Sequence, residues 1–225
     1  MQDNNASIYK NGRLILASSS PRRREILSLM GYNFTVVPTD ADETVDSSLP
    51  PDVIVKTLAR RKFDALADVG SGALNAQTDA DSAASRDITG GVAVAADTIV
   101  WLPDSENGGG NVLGKPNTRA RAYEMLRALS GRIHSVWTGV CVGKTGGADG
   151  EPYAFAVKTD VIFRELSDAE IYAYIDGERP YDKAGAYGIQ GGAGIFITGI
   201  IGDYYNVMGL PASALYVVLR DRFGF

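Results

Sequence analysis

Three serines (Ser18, Ser19, Ser20), a proline and three arginines (Arg22, Arg23, Arg24) follow one another in LASSSPRRREIL, residues 16–27. A helix starting at Pro21 offers unpaired backbone N–H groups and a partial positive charge, and serine hydroxyls beside it add donors. That is the equipment of a phosphate cradle. Basic side chains at a positive dipole end are electrostatically misplaced, which favours an anion site over a capped helix with a solvated basic first turn. Successive helical residues point about 100° apart, so the three arginines do not share one ligand. One or two reach in, where the guanidinium fork can grip phosphate oxygens.

Other chemistry-bearing residues are scattered along the chain. Asp97, in ADTIV, is expected at the end of a buried apolar strand, where it could hold a metal or act as a base. Taken alone, it reads first as a turn-forming aspartate, with Thr98 satisfying the backbone. Lys115, in GKP, could meet a phosphate as a point charge. Asp42 and Glu43 form either an oxygen-ligand pair for a hard divalent cation or a solvated acidic loop. In GERPYDKAGAYGIQG, residues 177–191, Gly185, Gly188 and Gly191 permit close backbone approach or left-handed conformations. Asp182 and Lys183 there could pair, or divide between metal and phosphate. Gln190 has the donor and acceptor needed to read a base edge. The same segment also reads as a plain tight connection. His134 reads as a satisfied structural histidine, with no nucleophile signature to complete a triad. Lys62 reads as a snorkelling lysine on an amphipathic helix.

These residues need elements to position them. RLILA reads as a buried strand, followed by a helix capped by Ser20, begun at Pro21 and stopped by Gly31. YNFTVVP alternates as a second strand. PPDVIVKTLARRKFDALADV has a helical apolar face at Val55, Leu58, Ala59, Phe63 and Leu66. VAVAADTIVWL suits a central strand covered on both faces. Ala122, Met125, Leu126 and Leu129 mark a helix ending at Gly131. HSVWTGVCVG and residues 153–163 then form a long hairpin. SDAEIYAYIDG carries a capping box from Ser167 to Glu170, an Ile171/Ile175 stripe and a stop at Gly177. A last helix starts at Pro211 and buries Leu215, Val218 and Leu219. Residues 69–91 and 103–111 are polar, glycine-rich and without apolar period, and read as surface insertions.

The order predicts an α/β fold with a twisted mixed sheet flanked by helices, and a central cleft where the loops converge. At 225 residues, 45% hydrophobic and 22% charged, one domain over 1–225 is expected. The net charge of −5 argues against a nucleic-acid partner. No apolar run reaches membrane length, so no membrane partner is expected. Cys141 is the only cysteine, which excludes an intrachain disulfide and fits a cytoplasmic location.

In this order, LILASSSPRRREIL, LARRK, ADTIV, GKP, LSGRIHSVWTGV, ERPYDKAGAYGIQG and IIGDYYNVMGLP resemble the Maf family of nucleoside triphosphate pyrophosphatases. The resemblance runs from about residue 13 to the last helix and skips the two polar loops. It implies an inosine triphosphate pyrophosphatase-like fold, often a homodimer. The implied reaction cleaves between the α- and β-phosphates with a divalent cation, Mg²⁺ or Mn²⁺. By resemblance Asp97 is the general base or a metal ligand, and Glu43 a further metal ligand. Arg22, Thr98 and Gln190 match positions tied to substrate choice, while Ser18, Arg23, Lys62, Lys115 and Lys183 match the phosphate path. Asp182 is counted with the substrate-binding residues beside Lys183. Of the arginines, Arg22 and Arg23 are expected to face the ligand, and Arg24 to be a solvated neighbour. DKAGAYGIQG looks like the dTTP/UTP branch. Two other readings stand beside it: 7-methyl-GTP or another noncanonical purine triphosphate as substrate, and a nucleotide-binding regulator of cell division with little catalysis.

Overall fold

The computed structural model describes residues 12–67, 88–104, 109–146 and 150–225. Seven strands build one mixed sheet: β1 (Leu14–Ala17), β2 (Phe34–Val36), β3 (Val92–Pro103), β4 (Gly110–Leu113), β5 (Ile133–Lys144), β6 (Tyr153–Phe163) and β7 (Ile197–Ile201). Their order is β2-β1-β3-β5-β6-β7, with β4 added to β3. β1 runs parallel to β2 and β3, and the remaining pairs are antiparallel. The helices are α1 (Pro21–Leu29), α2 (Pro51–Asp64), α3 (Arg119–Leu129), α4 (Asp168–Glu178), α5 (Tyr204–Met208) and α6 (Ala212–Val218).

The small residues of β3 explain its central place, because both its faces are covered. Val94 and Ala96 pack with Ile26 and Leu27 of α1 and with Leu215 of α6. Ala93 and Ala95 face a smaller cluster with Ile15, Ala17, Val37 and Leu66. Ile99 packs under Ile54, Val55 and Leu58 of α2. Helix α2 lies so close to the sheet that a Cβ on Gly139 of β5 would sit 2.2 Å from the Val55 carbonyl oxygen. Gly139 is the register partner of Asp97, so this contact brings α2 down onto the strand that carries Asp97.

Several details depart from the sequence reading. Asp97 does not end its strand; it is the sixth of twelve residues in β3. On one edge β3 is paired with β5 from Val92 to Trp101. On its other edge β1 pairs as far as Ala95 and β4 pairs from Val100, leaving residues 96–99 without a strand neighbour among the described residues. The polar stretch 103–111 is shorter than expected, because Pro103 pairs with Gly110 and Leu102 with Asn111 in a β3–β4 hairpin. Residues 105–108 of that stretch lie outside the described residues, as do 69–87 of the first polar stretch. Residues 88–91 are tied to the sheet: the Gly90 N–H donates to the Thr145 carbonyl, and the Thr145 N–H donates to that of Gly91.

Ser20 occupies the N-cap of α1, but its side chain makes no capping bond; its N–H instead donates to Ser18 Oγ. Helix α4 passes through Gly177 to Glu178 and ends at Arg179, held left-handed at φ 46° before Pro180. The capping box at Ser167 and Glu170 forms as read. Helix α6 buries Leu215 and Leu219, with Val218 half-buried. β7 and α5 had no clear sequence signal, being five residues each after a glycine-rich run. Among the described residues, no helix is long and apolar enough to cross a membrane.

Candidate active site

The gap beside residues 96–99 of β3 opens into a cleft of about 890 Å³. Successive strand residues face opposite sides of a sheet, and at this open edge both sides are within reach of one ligand. Asp97 points toward α2 and Thr98 toward α1, as their partners show. The cleft gathers Ser18, Arg22, Arg23, Glu43, Lys62, Asp97, Thr98, Lys115, Asp182 and Lys183. Gln190 does not line it but lines an adjoining cavity of about 260 Å³, whose wall shares Arg22, Lys183 and Tyr187 with the cleft. Arg24 and Asp42 are exposed and line neither cavity. Asp42 Oδ1 instead closes a turn by accepting the Thr44 N–H.

Lys62 is not the surface lysine its helix pattern suggests. Its ammonium donates to Asp97 Oδ1 at 2.5 Å and to Glu43 Oε1 at 2.7 Å. Its side chain is 14% exposed and that of Asp97 11%. The hydrogen bond from Lys62 holds the Glu43 carboxyl below the usual range, and burial partly opposes this. Lys115 approaches the other oxygen of Glu43 at 3.6 Å. The two carboxylates on one ammonium could supply an oxygen donor pair to a hard cation that takes its further ligands from phosphate and water. Among the described residues, no group of three or more His, Cys, Asp or Glu converges, so there is no all-protein cage.

Arg23 works as a clamp. Its Nε donates to the Gly209 carbonyl at 2.8 Å, one terminal nitrogen to Ser18 Oγ at 3.3 Å, and the other to Thr98 Oγ1 at 3.2 Å. Burial lowers its pKa, while the charge of Asp97 acts the other way. Behind Thr98 a polar chain crosses the sheet. Thr98 Oγ1 lies 3.0 Å from Thr138 Oγ1, which donates to the Asn206 carbonyl at 3.0 Å. The Asn206 amide donates to the Val136 carbonyl and to Thr159 Oγ1, each at 3.1 Å. Sequence reading missed Thr138 and Asn206. Asn206 lies in IIGDYYNVMGLP, and a fully buried asparagine has no signature in one sequence.

At the other end of the cleft, Lys183 donates to Asp182 at 2.8 Å, which lowers the Asp182 carboxyl, with Arg22 adding a weaker pull. Of the three glycines singled out, only Gly185 is left-handed, at φ 68°, and a Cβ there would lie 2.9 Å from Val100 Cγ2. Gly188 instead packs on the Lys183 stem and Gly191 on Glu178. Tyr187, which lines both cavities, shares a 2.7 Å hydrogen bond with His134 Nε2. His134 is thus buried and structural, and burial lowers its pKa to about 4. Cys141 is buried as well, its thiol pushed up to about 12.

The arrangement interleaves Arg22, Arg23, Lys62, Lys115 and Lys183 with Glu43, Asp97 and Asp182 in one cleft. Such a site can neutralise a polyphosphate while keeping carboxylates free to hold a cation or orient water.

Comparison with known proteins identifies the family. A family model described as Maf-like protein matches residues 13–222. The chain is 43% identical over 214 residues to a dTTP/UTP pyrophosphatase of Thermococcus onnurineus (strain NA1), covering 94% of this chain and 98% of that protein. It is 39% identical over 209 residues to a dTTP/UTP pyrophosphatase of Bacillus anthracis (strain CDC 684 / NRRL 3495), covering 93% and 95%. Among solved structures, the Staphylococcus aureus Ham1 protein aligns with TM-score 0.40 and 13% identity over 67% of this chain and 71% of that one. So slight a likeness carries no weight for the site.

Proposed function

The chain belongs to the Maf family, and we propose that it hydrolyses dTTP and UTP to the nucleoside monophosphate and pyrophosphate. The observation that carries this reading is the cleft in which Arg22, Arg23, Lys115 and Lys183 surround Asp97 and its Lys62 partner. The name shared by its relatives supplies the substrate class.

In this reading the triphosphate lies along Arg22, Arg23, Lys115 and Lys183. These side chains favour catalysis to the extent that they bind the charge growing on the leaving pyrophosphate more strongly than the ground-state phosphates. Glu43 and Asp97 would hold Mg²⁺ or Mn²⁺, which when bound neutralises phosphate charge and lowers the pKa of water. Asp97 orients the attacking water toward the α-phosphorus or holds the ion beside it. Lys62 keeps Asp97 and Glu43 together. Gln190, in the adjoining cavity, would read the pyrimidine edge through its amide donor and acceptor. A cytoplasmic homodimer belongs to the same proposal, supported by the family resemblance and by a lone, buried cysteine. Sedimentation would read the assembly.

The test is pyrophosphate release across a nucleotide panel with Mg²⁺ or Mn²⁺. Fast release from dTTP and UTP is expected. Preferential release from 7-methyl-GTP would redirect the substrate, and orthophosphate release would reject the cleavage position. Asp97→Asn should retain nucleotide binding and lose about 10³-fold in turnover. Undiminished turnover would remove Asp97 from the chemistry, and a wild type that binds UTP without hydrolysing it would favour the regulator reading.

A further inference from the structure

We propose that Thr138 and Asn206 fix the hydrogen-bonding polarity of Thr98, so that Thr98 meets the nucleotide only as an acceptor while Ser18 meets it as a donor. The inference rests on the reading of the cleft as a pyrimidine triphosphate site and adds how its two ends are told apart.

The polarity follows from counting protons. The Asn206 backbone carbonyl can only accept, and it takes the N–H of Gly209 and the hydroxyl of Thr138, each at 3.0 Å. Thr138 is fully buried and has one proton to give. Were that proton spent on Thr98, the Thr138 oxygen would face the Asn206 carbonyl oxygen at 3.0 Å with no proton between them. Two buried acceptors held in this way are costly. The Thr138 proton therefore goes to Asn206. The 3.0 Å contact between Thr138 and Thr98 must then be made with the proton of Thr98. Thr98 Oγ1 also accepts from Arg23 at 3.2 Å. What it has left for the cleft is one lone pair and no proton.

Ser18 is wired the opposite way. Its oxygen accepts from the Ser20 N–H at 3.2 Å and from Arg23 at 3.3 Å, and neither contact uses its own proton. Both hydroxyls hang on one guanidinium, so the donor and the acceptor are held at a fixed separation. Phosphate oxygens only accept, which suits Ser18 and excludes Thr98. Thr98 instead suits a donor-only group on the nucleoside end, the imide N–H of uracil and thymine. Thr138 and Asn206 touch no ligand; they are positioning residues acting through Thr98.

The test is Thr138→Val, which keeps the shape of the side chain and removes the acceptor for the Thr98 proton. The freed proton can turn into the cleft. Preference is read as ratios of kcat/KM and of Kd. The preference for UTP over CTP falls about tenfold, because cytosine presents an acceptor at the ring nitrogen where uracil has its imide N–H. The preference for UTP over dUTP stays unchanged, because a sugar hydroxyl accepts as well as donates. Inhibition by inorganic tripolyphosphate stays unchanged in Thr138→Val and weakens in Ser18→Ala. Thr138→Ser, which keeps the hydroxyl, restores the wild-type ratios. A Thr138→Val protein with the UTP-to-CTP ratio unmoved, or with every nucleotide and tripolyphosphate weakened alike, overturns the proposal. Because the ratios are read from binding as well as turnover, an inactive wild type counts against hydrolysis, whereas an unmoved binding ratio counts against this inference.

Discussion

The two ends of the cleft are held in different ways. Around Asp97, the charged contacts join distant parts of the chain: Lys62 comes from α2, Glu43 from the loop after β2, and Arg23 reaches from α1 to Thr98 of β3. Around Gln190 the contacts are short-range or slack. Lys183 pairs with its neighbour Asp182, whose side chain is 73% exposed, and Gln190 reaches exposed Glu25 only at 3.4 Å. The Asp97 end is therefore fixed by folding itself, while the Gln190 end is free to settle on a ligand. A hydrolytic site gains from groups already oriented where charge will develop, whereas the contact that Gln190 would add to the base can be completed on binding.

The hardest test of this contrast is Lys62→Met. It leaves Asp97 and Glu43 facing each other without the ammonium that bridges them. Turnover of UTP should fall about 10²- to 10³-fold, measured as pyrophosphate release at saturating nucleotide. An equal loss from neutralising Lys183, whose partner is its exposed neighbour, would erase the distinction between the two ends.

The wall between the ends offers a second test, through pH. Tyr187 lines both cavities and is tied to His134, whose burial depresses its pKa to about 4. Above about pH 6.5 this histidine is neutral in both folded and unfolded chains and contributes no pH slope. As pH falls below that value the unfolded chain takes up a proton that the folded one refuses, so stability drops until the folded pKa is reached. Between pH 7 and 4.5 the loss should be on the order of 2 to 3 kcal/mol. Denaturant unfolding of wild type and His134→Gln checks it: the slope belongs to the wild type, and its survival in the variant would assign it elsewhere.

Gly139→Ala probes how the rigid end is set. The added Cβ would meet backbone atoms of Val55 and Lys56, which cannot move aside as a flexible side chain can. Helix α2 must lift, and Lys62 is on α2. Overpacking of this kind costs about 1 to 3 kcal/mol, read as a fall in Tm, and turnover should fall with it. A stability loss with unchanged turnover would show that Lys62 follows Asp97 whatever the position of α2.

Much of this was legible in the sequence, for physical reasons that also mark where it stopped. The serine and arginine stretch, the capping box at Ser167 and the β5–β6 hairpin depend on local spacing, and local spacing is what a sequence displays. Asp97 was readable as a candidate but was placed at a strand end, because a charged residue inside an apolar run usually marks one. It sits mid-strand because β3 changes neighbours, from β1 to β4, around it. That is a property of topology. Lys62 looked like an ordinary helix lysine, since its role depends on Gly139 admitting α2 to the sheet. Thr138 and Asn206 stayed invisible because their partners lie across the sheet.

The slack end gives the smallest expected effect and sharpens the comparison most. Gln190 makes one long, exposed hydrogen bond, so its removal leaves no buried group unsatisfied in the free protein and should not change Tm measurably. In the complex it would supply one polar contact to the base, worth about 1 kcal/mol net. Gln190→Ala should therefore raise KM for UTP roughly five- to tenfold, with kcat changed by less than about threefold, as expected for an interaction made equally in ground and transition states. Steady-state kinetics separates the two constants. A kcat loss matching that of Lys62→Met would mean that base contacts are used to align the α-phosphorus, and that the two ends of the cleft act as one unit.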